Sequence, residues 1–161
     1  MRGDEHNPAR RVLALDVGLR RIGVAVSDPL GITAQGLDTY HRTVMREDLA
    51  KVSIIAQQQG AEMILVGHPL HMSGKEGRQA ELVKHFAAKL QERSGLPVQL
   101  WDERLTTVVA NQVLRESGIS QEKRAKAVDR LSAVLILQSY LDSLPSLYPP
   151  DEDQESWPDP H

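Results

Sequence analysis

The chain has 161 residues, of which 40% are hydrophobic and 25% charged, and its formal net charge is −3. This length fits one domain with a sizeable core, and the absence of cysteine excludes a disulfide framework or a thiolate metal site. The polar amino-terminal segment and the lack of a long apolar run predict neither a signal peptide nor a membrane span, so we expect a cytoplasmic protein.

Negative charge is concentrated at the carboxyl end. Residues 145–161 hold five acids, five of the nine prolines and no lysine or arginine, which is typical of an acidic, proline-rich disordered tail. Residues 1–10 are also expected to be disordered, leaving 11–144 as the folded domain. Without the five acids of the tail, the rest of the chain has a net charge of +2, which permits a phosphate-bearing partner.

Apolar runs and turn residues predict the order β-β-β-α-β-α-β-α-α. The first two strands, 11–18 and 20–27, are expected to form a hairpin across Gly18 and Leu19. A third extended stretch covers 33–43. The remaining predictions are strands at 62–67 and 97–101 and helices at 46–59, 77–93, 106–116 and 123–141. This order predicts an α/β fold with a mixed five-stranded sheet and helices on both faces.

An acidic residue, Asp16, interrupts the otherwise apolar first strand. An ionised carboxylate in such a place is costly unless it is paired or bound to a cation. Strand alternation places Asp16 on the same face as Ala14 and Gly18, where small side chains leave room for a cation and a phosphate. The alternative is that the small residues admit a close-packed helix and that Asp16 pairs with Arg20 or Arg21.

Two further acids stand at the ends of predicted elements. Glu103 follows the last predicted strand, and ligands of α/β sheets usually bind at the carboxyl ends of strands. Glu103 could instead cap the helix that starts near Thr106, or pair with Arg104. Asp129 lies early in an apolar helix, where the helix dipole alone would favour an acid. Each acid is a weak signal alone, and the three together indicate a site.

Four segments carry a resemblance that covers nearly the whole domain: LALDVGLRRIGVAVSD (13–28), ILVGHPLHMSG (64–74), WDERLTT (101–107) and KAVDRLSAVLILQSYL (126–141). In this order they resemble the YqgF/RuvX family of RNase H-like proteins, described as Holliday junction resolvases and as pre-16S rRNA nucleases. His68 and Leu19 depart from the family pattern. The resemblance implies an RNase H-like fold with Asp16, Glu103 and Asp129 as catalytic residues and metal ligands.

The resemblance also implies a metal-dependent endonuclease that hydrolyses phosphodiester bonds of structured nucleic acid. Three carboxylates suit Mg²⁺ or Mn²⁺, and two such ions could hold the attacking water and the leaving oxygen together. The expected substrate is either a Holliday junction in DNA recombination and repair or the 5′ end of pre-16S rRNA. Two symmetric cuts in a four-way junction would favour a homodimer.

Basic and polar residues near the three acids are expected to contact the phosphate backbone. Solvated helix faces, or a plain turn in the loop 67–77, would give the same pattern. His68 and His71 lie three residues apart in that loop without a third partner, which disfavours a metal site there. The predicted contact residues are Arg20, Arg21, Ser73, Lys75, Arg104, Thr106, Lys123, Arg124, Lys126 and Arg130.

Two other functions remain open from the sequence. The segment Asp16-Val17-Gly18 also fits the phosphate loop of ATP-handling proteins of the actin, sugar-kinase and Hsp70 superfamily, but those need two lobes and 161 residues supply one. The other alternative is a non-catalytic nucleic-acid-binding or ribosome-assembly factor with the same fold. Metal-dependent cleavage would separate it from the nuclease.

Overall fold

The computed structural model describes residues 11–71, 73–104 and 121–145, and for 121–130 it describes the helix without its side chains. Several predictions therefore lie outside the described residues: the segment 1–10, the helix 106–116 with Thr106, and the tail beyond residue 145. The side chains of Lys123, Arg124, Lys126, Asp129 and Arg130 also lie outside the described part of the chain.

The described elements follow the predicted order. They are β1 (Val12–Val17), β2 (Arg21–Ser27), β3 (Ala34–Gly36), β4 (Tyr40–His41), α1 (Met45–Gln58), β5 (Met63–His68), α2 (Arg78–Ser94), β6 (Val98–Asp102) and α3 (Gln121–Ser143). Among these described helices, none is long and apolar enough to cross a membrane.

The sheet is mixed, as predicted, with the lateral order β3-β2-β1-β5-β6. The hairpin β1–β2 is antiparallel, whereas β1 pairs with β5 and β5 with β6 in parallel. The prediction of five strands is wrong in one respect, since the stretch 33–43 forms two short strands, β3 and β4, which both pair with β2. Gly36 and Asp38 are poor strand formers, which accounts for the break between β3 and β4. The described sheet therefore has six strands.

Helices cover both faces of the sheet, as the sequence predicted. Alternation along β1 separates two cores, because Leu13 and Leu15 face α1 and α2 while Ala14 faces α3. The larger core contains Val52 of α1 and Phe86 of α2. The core beneath α3 contains Ala25, Leu65, Ala133, Ile136 and Leu137.

One detail of α2 differs from the prediction. Phe86 and Leu90 are buried as expected, but Leu82 is 44% exposed, because Val83 faces the sheet in its place. The helix ends at Gly95, whose φ of 72° is a left-handed conformation that favours glycine.

The helix α3 runs antiparallel to β5. The Tyr140 hydroxyl lies 3.5 Å from the Met63 sulfur at the start of β5, and Ile136 lies against Gly67 near its end. The Tyr140 ring also packs edge-on against Trp101 of β6, with ring centroids 5.4 Å apart. Earlier residues of α3 therefore lie toward the carboxyl ends of β1 and β5.

Candidate active site

Asp16 and Glu103 lie at the same edge of the sheet. β1, β5 and β6 are parallel, so their carboxyl ends meet there, and Glu103 directly follows β6. Asp16 is half-buried, pairs in register with Gly23, and shares its strand face with Ala14, which packs beneath α3. The small residues expected beside Asp16 are therefore present on the neighbouring strand.

The Glu103 side chain lies over Gly67 of β5. A Cβ atom at Gly67 would collide with Oε2 of Glu103 and would lie 2.6 Å from the Ile136 Cδ1. Trp101 pairs with Gly67 in register on β6. The missing side chain of Gly67 thus makes room for a carboxylate between the sheet and α3.

Negative charges surround Glu103. Burial, together with the charges of Asp16 and Asp102, raises its pKa to about 8. The structure therefore brings Asp16 and Glu103 close enough to repel one another electrostatically. Two carboxylates in this relation favour either a shared proton or a bound cation.

The donor chemistry fits Mg²⁺ or Mn²⁺, which prefer oxygen ligands. Among the described residues, no group of three acidic, histidine or cysteine side chains could hold a metal ion. The predicted third carboxylate belongs to Asp129, whose side chain lies outside the described part. Asp16 and Glu103 are thus the described members of the predicted metal site.

Arg104 pairs with Asp102 and not with Glu103, the partner considered from the sequence. Its Nε and Nη2 atoms lie 2.8 Å and 2.5 Å from Oδ2 of Asp102. This arginine lowers the pKa of the Asp102 carboxyl and the carboxylate raises that of Arg104. The Arg104 Nη1 atom lies 3.5 Å from the position of a Cβ at Gly74, so the guanidinium stands beside the loop that carries Ser73 and Lys75.

That loop, 69–77, folds back on the start of α2. The Nε2 atom of His68 lies 3.5 Å from the Glu76 carboxylate, which also accepts a hydrogen bond from Lys84 at 3.1 Å. The His71 ring fills the space beside Gly77, where an added Cβ would lie 2.5 Å from the ring Nε2. His68, at the end of β5, and His71, in the loop, therefore both lie against loop residues.

The other predicted contact residues divide into two groups. Arg20 is exposed at the β1–β2 turn, Arg21 is half-buried at the start of β2, and Ser73 and Lys75 are exposed in the loop. The remaining residues belong to the undescribed side chains of α3 or, for Thr106, to the undescribed segment before it. The described group lies around the carboxyl edge that carries Asp16 and Glu103.

A model of the RuvX family, described as Holliday junction resolvase, matches residues 10–143. The chain belongs to the RuvX family. A protein of Koribacter versatilis named "Putative pre-16S rRNA nuclease" is 56% identical over 132 residues, which is 82% of this chain and 86% of the relative. A protein of the same name from Clostridium novyi is 48% identical over 83% of this chain and 99% of the relative. These relatives confirm the predicted family and the prediction that the chain is a nuclease.

Two solved structures share the fold at low sequence identity. Thermus thermophilus RuvC in complex with Holliday junction substrate gives a TM-score of 0.51 at 14% identity and covers 81% of this chain and 93% of its own. Fowlpox virus resolvase with substrate Holliday junction DNA gives a TM-score of 0.54 at 12% identity and covers 84% of this chain and 99% of its own. The predicted RNase H-like α/β fold is confirmed by this likeness.

Sequence reasoning missed the role of Gly67. The sequence predicts Gly67 as the last residue of a strand and the first of a loop, but not its position directly beneath the Glu103 carboxylate. Alternation offered a signal, since Met63, Leu65 and Gly67 share one face and the last is the smallest. The identity of the group above Gly67 depends on the pairing of β5 with β6, which the sequence does not state.

Proposed function

We propose that this chain is a metal-dependent endonuclease that hydrolyses phosphodiester bonds in structured precursor RNA. The observation that carries the proposal is the position of Asp16 and Glu103 at one edge of the sheet, with Glu103 lodged over Gly67. Two partly buried carboxylates side by side concentrate negative charge, which attracts a divalent cation.

Asp129 is proposed as the third ligand. The helix α3 runs antiparallel to β5, so its amino-terminal half lies toward the edge that carries Asp16. Residue 129 precedes Ala133 by one helical turn, and Ala133 is buried against the sheet. This spacing supports the proposal that Asp129 is the third ligand.

Mg²⁺ or Mn²⁺, proposed as two ions, would supply the charge that activates water and offsets the charge on the phosphate. The carboxylates of Asp16, Glu103 and Asp129 would bind these ions and fix their position. Arg104, oriented by Asp102 beside the loop of Ser73 and Lys75, would hold the phosphate backbone. The exposed Arg20 at the β1–β2 turn would extend this contact, as would the predicted basic residues of α3.

The names of the relatives favour the precursor of 16S rRNA as substrate, and we place the activity in the cytoplasm. The description of the family favours a second candidate, a four-way DNA junction, for which a two-fold dimer would supply two symmetric cuts. Carboxylates and cations treat RNA and DNA phosphodiesters alike, so the two candidates share one site.

The test is a cleavage assay with Mg²⁺ or Mn²⁺ that compares a fragment spanning the 5′ end of 16S rRNA precursor with a synthetic four-way DNA junction. We expect cleavage of the RNA that stops in EDTA and is lost in Asp16→Asn, while the variant unfolds at the same temperature as the wild type. Cleavage of the junction alone would favour the second candidate. Binding without cleavage of either substrate would instead identify a non-catalytic assembly factor.

A further inference from the structure

The two residues that follow Asp16 are anchored by side chains from distant parts of the chain. The Val17 carbonyl accepts a hydrogen bond from the Gln79 Nε2 at 3.1 Å, and the Gly18 carbonyl accepts one from the Arg42 Nη1 at 2.8 Å. Gln79 lies in the first turn of α2 and Arg42 lies between β4 and α1. We call Arg42 and Gln79 the turn anchors, because both bind the end of β1 at its turn into β2.

Arg42 is itself fixed from several sides. Its Nε atom donates to Oδ2 of Asp48 at 3.0 Å, and its guanidinium lies 5.3 Å from the centre of the Phe86 ring. Its backbone N–H donates to the Arg20 carbonyl at 2.8 Å. One residue therefore binds the turn at both Gly18 and Arg20.

Asp48, which holds Arg42, is fully buried. Its Oδ1 atom accepts hydrogen bonds from the Tyr40 hydroxyl at 3.0 Å and from the Thr43 backbone N–H at 2.9 Å. Three donors thus satisfy the carboxylate, which makes it a rigid support for the guanidinium.

The turn anchors lie behind the site. Val17 packs in the core beneath α1 and α2, whereas Asp16 shares the opposite face with Ala14 beneath α3. The turn itself is tight, with the Gly18 N–H bound to the Arg21 carbonyl at 2.8 Å. A shift of this turn would displace Asp16 and the neighbouring arginines without any change in the groups that face a substrate.

We propose that Arg42, supported by Asp48, and Gln79 are positioning residues that hold the β1–β2 turn so that the Asp16 carboxylate can bind metal. The inference rests on the proposed function. Supporting groups behind metal ligands typically change metal affinity or activity by about 10-fold to 100-fold when removed.

Arg11 provides a matched control at the other end of the same strand. Its Nε and Nη1 atoms donate to the Ser27 and Gln59 carbonyls at 3.0 Å and 2.9 Å. Arg11 and Arg42 therefore both use a partly buried guanidinium to bind backbone carbonyls. They differ in that Arg11 precedes β1 whereas Arg42 binds the turn next to Asp16.

The experiment compares Arg42→Gln with Arg11→Gln in the full chain, using Mn²⁺ as the probe. Free Mn²⁺ is counted by electron paramagnetic resonance without nucleic acid, and cleavage and the free energy of unfolding are measured on the same samples. We expect both variants to lose stability but only Arg42→Gln to weaken Mn²⁺ binding and to lower kcat, each by roughly 10-fold. Arg42→Lys should recover part of the loss, and hydrogen exchange at Gly18 should accelerate only when Arg42 is changed.

If Arg42→Gln fails to fold, Gln79→Met removes a single hydrogen bond to Val17 and should weaken Mn²⁺ binding by a smaller factor. Mn²⁺ affinity unchanged in the folded Arg42 and Gln79 variants, or reduced equally in Arg11→Gln, would overturn the inference while leaving the nuclease proposal standing. Undiminished Mn²⁺ binding and cleavage in Asp16→Asn would overturn the role of Asp16 as a metal ligand and this inference with it, whereas cleavage of neither substrate by the wild type would overturn the proposed function.

Discussion

Two carboxylates, the fully buried Asp48 and the half-buried Glu103, differ in what surrounds them. Burial alone would raise the pKa of Asp48, but hydrogen bonds from Thr43, Arg42 and Tyr40 outweigh it and hold that pKa below its usual value. For Glu103, burial and the charges of Asp16 and Asp102 act in the same direction and together raise the pKa to about 8.

The difference separates an acid with a structural role from one proposed as a metal ligand. The protein supplies the counter-charge of Asp48 itself, so this carboxylate stabilises the fold in its ionised form. Beside Glu103 lie the negative charges of Asp16 and Asp102, which raise its pKa and would favour a bound proton or cation. Burial alone therefore does not distinguish the two acids, whereas the sign of the neighbouring charges does.

The largest expected effect comes from filling the space beneath Glu103. Gly67→Ala would place a methyl group where the Oε2 of Glu103 lies and 2.6 Å from Ile136, so Glu103 must move. We expect a loss of kcat of roughly 100-fold, since misplacement by about 1 Å can cost that much. We also expect a loss of stability of about 1–3 kcal/mol from overpacking.

Gly60→Ala is the control for this change. Gly60 has a φ of +67° and nothing within 4 Å of an added Cβ, so the variant is strained by about 1–2 kcal/mol but lies far from Glu103. Cleavage assays and chemical unfolding of both variants test the account. Full activity in a folded Gly67→Ala protein would contradict the position assigned to Glu103.

Asp48→Asn should cause the next largest effect, which is a loss of folding stability. The change removes the negative charge that three buried or partly buried donors require, so we expect a loss of about 3 kcal/mol in the free energy of unfolding. The control is Asp28→Asn, because Asp28 also accepts two backbone N–H groups but is only half-buried, and asparagine can accept them too. In urea unfolding at pH 7, this control should lose less than about 1 kcal/mol in the free energy of unfolding. Equal losses would refute the comparison.

The pH dependence of the two acids should have opposite signs. Glu103 has a raised pKa, so its contribution to the stability of the metal-free protein is present below its usual value of 4.5 and is lost as the pH rises through about 8. Asp48 has a lowered pKa, so its contribution is present above its usual value of 3.8 and is lost as the pH falls through the lowered value.

Thermal unfolding in EDTA measures this difference. Glu103→Gln should be more stable than the wild type at pH 9, and the two should converge below pH 4.5, where Glu103 is protonated in both folded and unfolded chains. A variant less stable than the wild type at pH 9 would show that the carboxylate is compensated within the protein, as Asp48 is.

The smallest effect concerns the exposed pair of Asp102 and Arg104. Asp102→Ala should change stability by less than about 1 kcal/mol, because exposed ion pairs contribute little. It should nevertheless raise KM for nucleic acid, since Arg104 loses its orientation. Glu92→Ala, which breaks the exposed pair with Lys89 on α2, should match it in stability without changing KM. An unchanged KM in Asp102→Ala would remove Arg104 from the proposed phosphate contacts.

The sequence predicted the layers of the fold and the strand order of the hairpin, because β1, β2 and β5 are apolar runs bounded by glycines and polar residues. It did not predict the break between β3 and β4, where a short edge strand has little periodicity to read. The positions of Asp16 and Glu103 at strand ends also followed from the sequence.

Partners across the fold could not be predicted in the same way. The space above Gly67 and the contact of Arg42 with Gly18 depend on which segments meet after folding. Spacing along the chain carries no information on such contacts when they join residues 24 positions apart, as the last one does. Arg104 pairs locally with Asp102, two residues away, and spacing alone did not distinguish that partner from Glu103.

The most direct test of the central claim is the location of Mn²⁺ by anomalous scattering in crystals of the full chain. The account predicts Mn²⁺ within about 2.0–2.6 Å of carboxylate oxygens of both Asp16 and Glu103, since hard cations bind oxygen ligands at such distances. The same crystals of Asp16→Asn should lack this signal. Mn²⁺ bound elsewhere, with the Glu103 carboxylate still protonated and turned away from Asp16, would contradict it.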